Sequence, residues 1–94
     1  MQQINDKKSR RMIINNAKES LKKNAELIKQ EFNIEIPKNI SNMDNIDFYS
    51  FIANTVYPTI TNEGWVAQEI GDVVIKLEAC IRAYKHYYRE PKTL

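Results

Sequence analysis

Glycine and proline are scarce in this chain, with two and three among 94 residues. So few breakers exclude low-complexity tracts and long flexible linkers, and leave room for uninterrupted helices. Cysteine occurs once, as Cys80. An internal disulfide is therefore ruled out, and no set of thiolates exists that could close a zinc site. Small secreted domains usually need such staples. Nor does any run approach the roughly 18 consecutive apolar residues of a membrane-crossing helix. The opening stretch "MQQINDKKSRRMII" carries charge but lacks the apolar segment of a secretory signal. These absences lead to the expectation of a cytoplasmic protein without a membrane span.

One further gap is regional. From Ile40 to Asp72 there is no Lys or Arg at all, against five Asp and Glu. The residues before that stretch hold nine Lys and Arg against five acids, and those after it five against two. A net charge of only +2 thus conceals a basic, acidic, basic order along the chain. The pI of about 8.7 stays below the strongly basic values of dedicated nucleic-acid binders.

What is present suffices for the core of one helical domain over 1–94, since 43% of the residues are hydrophobic. A chain this short still leaves much of its surface uncovered on folding, so a homodimer is a reasonable expectation. Ile14, Ala17, Leu21, Ala25, Ile28 and Phe32 recur at three- and four-residue steps, which predicts a helix over 5–32 with one apolar stripe. Pro37 closes that segment and biases Ile36 toward an extended backbone. "SNMD" at 41–44 fits a capping box with Ser41 as N-cap, and predicts a short helix over 42–56 carrying Phe48, Phe51, Ile52 and Val56. "YPTITNEG" is expected to break it at Pro58, with Thr61 or Asn62 capping the next helix. That last helix is predicted over 63–88, with Val66, Ile70, Val73, Val74, Leu77, Ile81, Tyr84 and Tyr88 on its stripe. No alternating run or hairpin turn points to a strand. The expected fold is all-α: two long helices, set antiparallel, plus one short intervening helix, in a small helical bundle that dimerisation could complete.

No stretch looks more like an active site than "EIGDVVIKL", where two carboxylates stand three residues apart around Gly71. Glu69 and Asp72 lie about 60° apart on a helix, and two carboxylates so placed can share a divalent cation through hard oxygen ligands. The run resembles the second metal-binding helix of MazG-like nucleotide pyrophosphohydrolases, small all-α oligomers that act on nucleoside triphosphates through magnesium. The resemblance covers residues 69–77 alone. The family also carries an upstream Glu-Glu-x-x-Glu helix, whereas Glu19, Glu26 and Glu31 stand apart among lysines here. The activity that the resemblance implies would therefore rest on an incomplete carboxylate set. Taken by themselves, Asp72 and Lys76 form an i,i+4 pair on a wet face, and the expectation is no catalytic residue, no metal and no cofactor. Gly71, which weakens a helix by about 1 kcal/mol relative to alanine, points to the close approach of another helix. His86, with Arg82, forms "RAYKH", one residue short of the Arg-x(4–6)-His signature of HEPN-type ribonucleases, and reads as a solvated histidine. Cys80, beside the stripe, reads as a small core residue.

Both chain ends are basic, and the C-terminal one is rich in tyrosine. If the long helices are antiparallel, Lys7, Lys8, Arg10, Arg11, Arg82, Lys85 and Arg89 gather at one pole, and Asp44, Asp47 and Glu63 at the other. Clustered cations attract phosphate or an acidic partner, and tyrosines stack on unpaired bases. Tyr84 and Tyr88 fall on the apolar stripe; only Tyr87 points elsewhere. The expected function is the binding of a macromolecular partner, a protein before a nucleic acid, in the manner of immunity proteins, antitoxins and phage- or plasmid-encoded inhibitors. Tyr49, Tyr57 and Trp65 are the expected anchors of that contact, because large aromatics dominate interface energetics.

Overall fold

A computed structural model describes residues 7–65 and 67–88. All regular structure among them is helical. Helix α1 runs over Lys7–Lys23 and α2 over Ala25–Phe32. A 3-10 turn at Ile40–Asn42 precedes α3, Asn45–Phe51, which passes through a π-helical turn at Ile52–Val56 into α4, Tyr57–Glu63. Helix α5 covers Gln68–Tyr84. None of these helices is long and apolar enough to cross a membrane.

From Lys7 on the first predicted helix is realised with one irregularity, its residues 5 and 6 lying outside the described ones. At Asn24 the backbone departs from helical geometry (φ −107°, ψ 20°), although hydrogen bonds run across it, from Asn24 N–H to Ser20 O and from Ile28 N–H to Asn24 O. The Asn24 side-chain amide donates to that same Ser20 carbonyl at 2.9 Å. The side chain thus shares a backbone acceptor with its own N–H at the point where the helix is irregular. Helix α2 stops at Phe32 because Asn33 turns left-handed (φ 57°) and donates its N–H back to Lys29 O. Pro37 lies further along and is not the terminator.

Residues 33–44 return the chain along the bundle and bury Ile34, Ile36 and Ile40. Here the predicted capping box is not formed. Met43 is extended (ψ 141°), which separates Ser41 from the helix start; the Ser41 hydroxyl is buried in the 3-10 turn without a partner. Asp44 precedes α3 and makes no side-chain cap bond either.

The middle helix is longer than predicted, because it passes straight through Pro58. Proline lacks an N–H and its ring clashes with the carbonyl four residues back in an α-helix. Just ahead of it the hydrogen bonding widens: Tyr57 N–H donates to Ile52 O, five residues back. The same widening serves the core. Phe48, Ile52, Val56 and Ile60 step strictly by four and are all fully buried. In a regular α-helix such steps drift by about 40° each, and a π turn returns them to one face. Gly64 ends the helix at φ 81°, in the region that favours glycine, with its N–H on Ile60 O. Thr61 is accordingly inside α4, its hydroxyl donating to Tyr57 O at 2.7 Å, and caps nothing.

These helices pack as three rods. The later half of α1 and Asn24 face the start of α5, while Arg10 meets Tyr87 just beyond its end, so α1 and α5 are antiparallel as predicted. The 45–63 helix runs alongside α1 and α2 in their own direction, with Lys18 against Asn45 and α2 against α4. Ile14, Ala17, Leu21 and Ile28 bury their stripe against Ile70, Val73, Leu77 and Cys80 of α5 and the middle helix's four-step row. Each large aliphatic side chain so buried stabilises the fold by about 1.5–3 kcal/mol. Val66, predicted on the α5 stripe, lies outside the described residues. Lys18 occupies a core position, four residues after Ile14, and is 6% exposed. Its ammonium donates to Met43 O at 2.6 Å and Asn45 Oδ1 at 2.9 Å, pinning the 33–44 return to α1.

Candidate functional site

At the loop between α4 and α5, Gly64 delivers Trp65 onto the outer face of α5. The indole Nε1 lies 3.3 Å from where a Cβ on Gly71 would stand. The close approach at Gly71 is therefore made by this tryptophan, not by another helix. One turn on, Ile75 is 66% exposed, and Trp65 itself 42%. Together with Ala67, Gln68 and Asp72 they line a shallow hollow of about 410 Å³. Glu63, at the end of α4, and Glu69 are both exposed nearby in sequence, in the stretch without Lys or Arg.

Glu69 and Asp72 are exposed on the first turns of α5. They border a polar cleft of about 680 Å³ between α5 and α1, shared with Asn16, Glu19, Lys23 and Lys76. Both carboxylate oxygens of Asp72 accept from Lys76 Nζ, at 3.0 and 2.9 Å, the i,i+4 pair read from the sequence. Among the described residues no three His, Cys, Asp or Glu side chains converge on one point. The Ser20 hydroxyl at the cleft's edge is buried without a partner.

The other end of α5 carries the aromatic cluster. Tyr84 and Tyr88 stack with centroids 4.9 Å apart, Tyr87 makes T-shaped contacts with both, and Tyr49 of α3 packs against Tyr84 and Tyr88. The Arg10 guanidinium lies 4.3 Å above the Tyr87 ring. Burial pushes the Tyr49 and Tyr84 hydroxyls above their ordinary pKa, and that of Tyr88 up to about 12.

The predicted poles are only partly realised. Arg10 and Arg11 share one hollow with Asn45, Tyr84, Tyr87 and Tyr88. Arg82 and Lys85 border a different one, beside Tyr57, Glu78 and Ile81, and Arg82 is paired with Glu78 at 3.1 Å. Asp44 does not lie at the opposite pole: it precedes Asn45, and its charge acts on both Lys18 and Tyr88. The reason is the direction of the middle helix, which starts at the tyrosine end and carries Glu63 away from it. Asp47 is exposed in the first turn of α3. Tyr49 and Tyr57 are half-buried against the core, which leaves Trp65 as the exposed member of the three predicted anchors. Arg89 and the side chains of Lys7 and Lys8 lie outside what is described.

Two participants were not singled out from the sequence. Ile75 falls off the apolar stripe of α5, and an isoleucine on a wet face is itself the signal that marks it. Lys18 stands four residues from Ile14, on the stripe of α1, where a cation needs acceptors. Set against family models, curated proteins and solved structures, the chain matches none of them.

Proposed function

We propose that this protein is a non-catalytic binding module that docks on a protein partner, in the manner of immunity proteins, antitoxins and small inhibitors, through the Trp65 corner. The observation that carries the reading is the pairing of Trp65 and Ile75, two large apolar side chains left exposed side by side over the bare backbone of Gly71. Contiguous exposed apolar surface of this kind marks interaction sites, and buried aromatics supply most interface energy. Among the described residues Asp72 is the one acid lining the hollow and is already paired with Lys76, so the contact offered is chiefly apolar and favours a partner that presents an apolar side chain. The engagement of both Asp72 oxygens by Lys76 supports a surface role for this carboxylate over a metal-binding one.

The test is affinity capture from the native host with mass spectrometry, using the wild-type chain and the Trp65→Ala, Ile75→Ala double variant. A protein recovered with the first and lost with the second, at unchanged helical content and Tm, is the expected result. Capture that survives both substitutions removes the corner as the contact; capture of nothing specific removes the binding reading. Millimolar Mg²⁺ is expected to leave Tm unchanged. A rise in Tm that Glu69→Gln with Asp72→Asn abolishes would return the site to metal chemistry.

A further inference from the structure

We propose a second, separate site at the opposite end of α5: the hollow lined by Arg10, Arg11, Asn45, Tyr84, Tyr87 and Tyr88 takes the phosphate of a nucleotide, with its base against Tyr87. The hollow measures about 130 Å³, room for a phosphoryl group and little more. Its chemistry is that of hydrogen-bond donors. Arg11 supplies guanidinium N–H groups, which pair with phosphate oxygens in a fork, and Arg10 adds its positive charge from over the Tyr87 ring. Lys18 donates to Asn45 Oδ1, so the amide nitrogen of Asn45 is left as the donor. Tyr84 and Tyr88 carry their phenolic protons through the neutral range as any tyrosine does, and burial raises their pKa further. No Asp or Glu is among the described residues that line the hollow. Among the described residues, Asp44 acts on Tyr88 of this hollow and on Lys18, whose ammonium offsets it in part.

The aromatic half of the ligand follows from Tyr87. This ring is 55% exposed, yet its orientation is held by edge contacts to Tyr84 and Tyr88 and by Arg10 on one face. A fixed, exposed ring beside two guanidiniums is the combination by which proteins hold nucleotide units: stacking for the base, cations for the phosphate. Free nucleotides and single-stranded nucleic acid share this chemistry.

Titration calorimetry of the full chain at low salt, with inorganic phosphate, a nucleoside 5′-monophosphate and a single-stranded oligonucleotide, tests it. Both nucleotide ligands are expected to bind more tightly than phosphate. Arg11→Gln should weaken them about tenfold. Tyr87→Ala should weaken them while leaving inorganic phosphate unchanged, and both positions are exposed enough that circular dichroism should report an intact fold. An oligonucleotide that binds tighter than the mononucleotide, with affinity falling steeply in salt, marks nucleic acid as the source; equal affinities mark free nucleotide. Trp65 emission should not respond, since that side chain is at the far end of α5. No binding heat, phosphate bound as tightly as nucleotide, indifference to both substitutions, or a Trp65 response would each overturn the proposal.

Discussion

At the residue scale, two buried groups govern how the protein should respond to pH, and they pull in opposite directions. Burial lowers the pKa of Lys18, so its charged form opposes folding at neutral pH and this penalty fades as pH rises toward 10.5. Cys80 is fully buried in α5, and desolvation raises its thiol from 9.0 to about 12. The folded state keeps a proton that the unfolded chain gives up above pH 9, so the thiol's contribution is complete below that value and is lost as pH climbs through about 12. Between about pH 8 and about pH 10.5 this amounts to about 2 kcal/mol. Urea unfolding at both pH values should show Cys80→Ala losing less stability across that range than wild type by about this margin; equal losses would mean that Cys80 is not desolvated. Lys18 has its own test. Lys18→Met keeps the apolar stem but leaves Met43 O and Asn45 Oδ1 without their donor. A loss of about 1–3 kcal/mol is expected at neutral pH. A gain in stability would show that desolvating the ammonium outweighs its two hydrogen bonds.

At the scale of elements, the middle helix and the Trp65 corner are where the physics departs from simple pattern. A proline inside an ordinary helix destabilises by about 3 kcal/mol. The π turn ahead of Pro58 has already re-routed the hydrogen bonding, so Pro58→Ala should change stability by less than about 1 kcal/mol in denaturant melts; a gain near 3 kcal/mol would show that the ring is strained where it stands. Gly71→Ala is expected to stabilise α5 by about 0.5–1 kcal/mol through helix propensity. The new methyl group would displace the indole, whose 42% exposure lets it give way, and the Trp65 emission should shift to the red. A blue shift or a drop in stability would mean the indole is locked in place. The helices themselves were legible because their stripes repeat at helical spacing, as in Ile14 through Phe32 and Ile70 through Tyr84. The middle helix was legible only as far as Val56, since a proline and a TITN string look like a break unless Ile60 is seen to extend the strict four-residue row Phe48, Ile52, Val56. Asn33 hid as a terminator because its left-handed backbone leaves no mark beyond residue type. At the candidate sites, Trp65 could be named from its rarity alone. Its partner Ile75 and the sharing of one hollow by Arg10, Arg11 and Asn45 depend on which helices lie adjacent, and that is a tertiary fact.

At the scale of the whole molecule, the return segment decides cooperativity. Residues 33–44 contribute Ile34, Ile36 and Ile40 to the same core that α1, α5 and the middle helix fill, and Lys18 fastens their end to α1. No rod can therefore leave without opening the interior that the others share. The two optical reporters sit at opposite ends of this arrangement: Trp65 at the start of α5, and the stacked Tyr84 and Tyr88 near its close. If the core is continuous, unfolding is all-or-none, as expected of a single small domain. Trp65 fluorescence, near-ultraviolet dichroism of the tyrosine cluster and far-ultraviolet helicity should then give one urea midpoint and one slope. The same logic extends to the two proposed sites, since a ligand at either end would raise the common midpoint by mass action even though it touches only local side chains. Midpoints that separate, with the tyrosine end melting before Trp65, would divide the molecule into two units, and each site would then have to be understood on the stability of its own end.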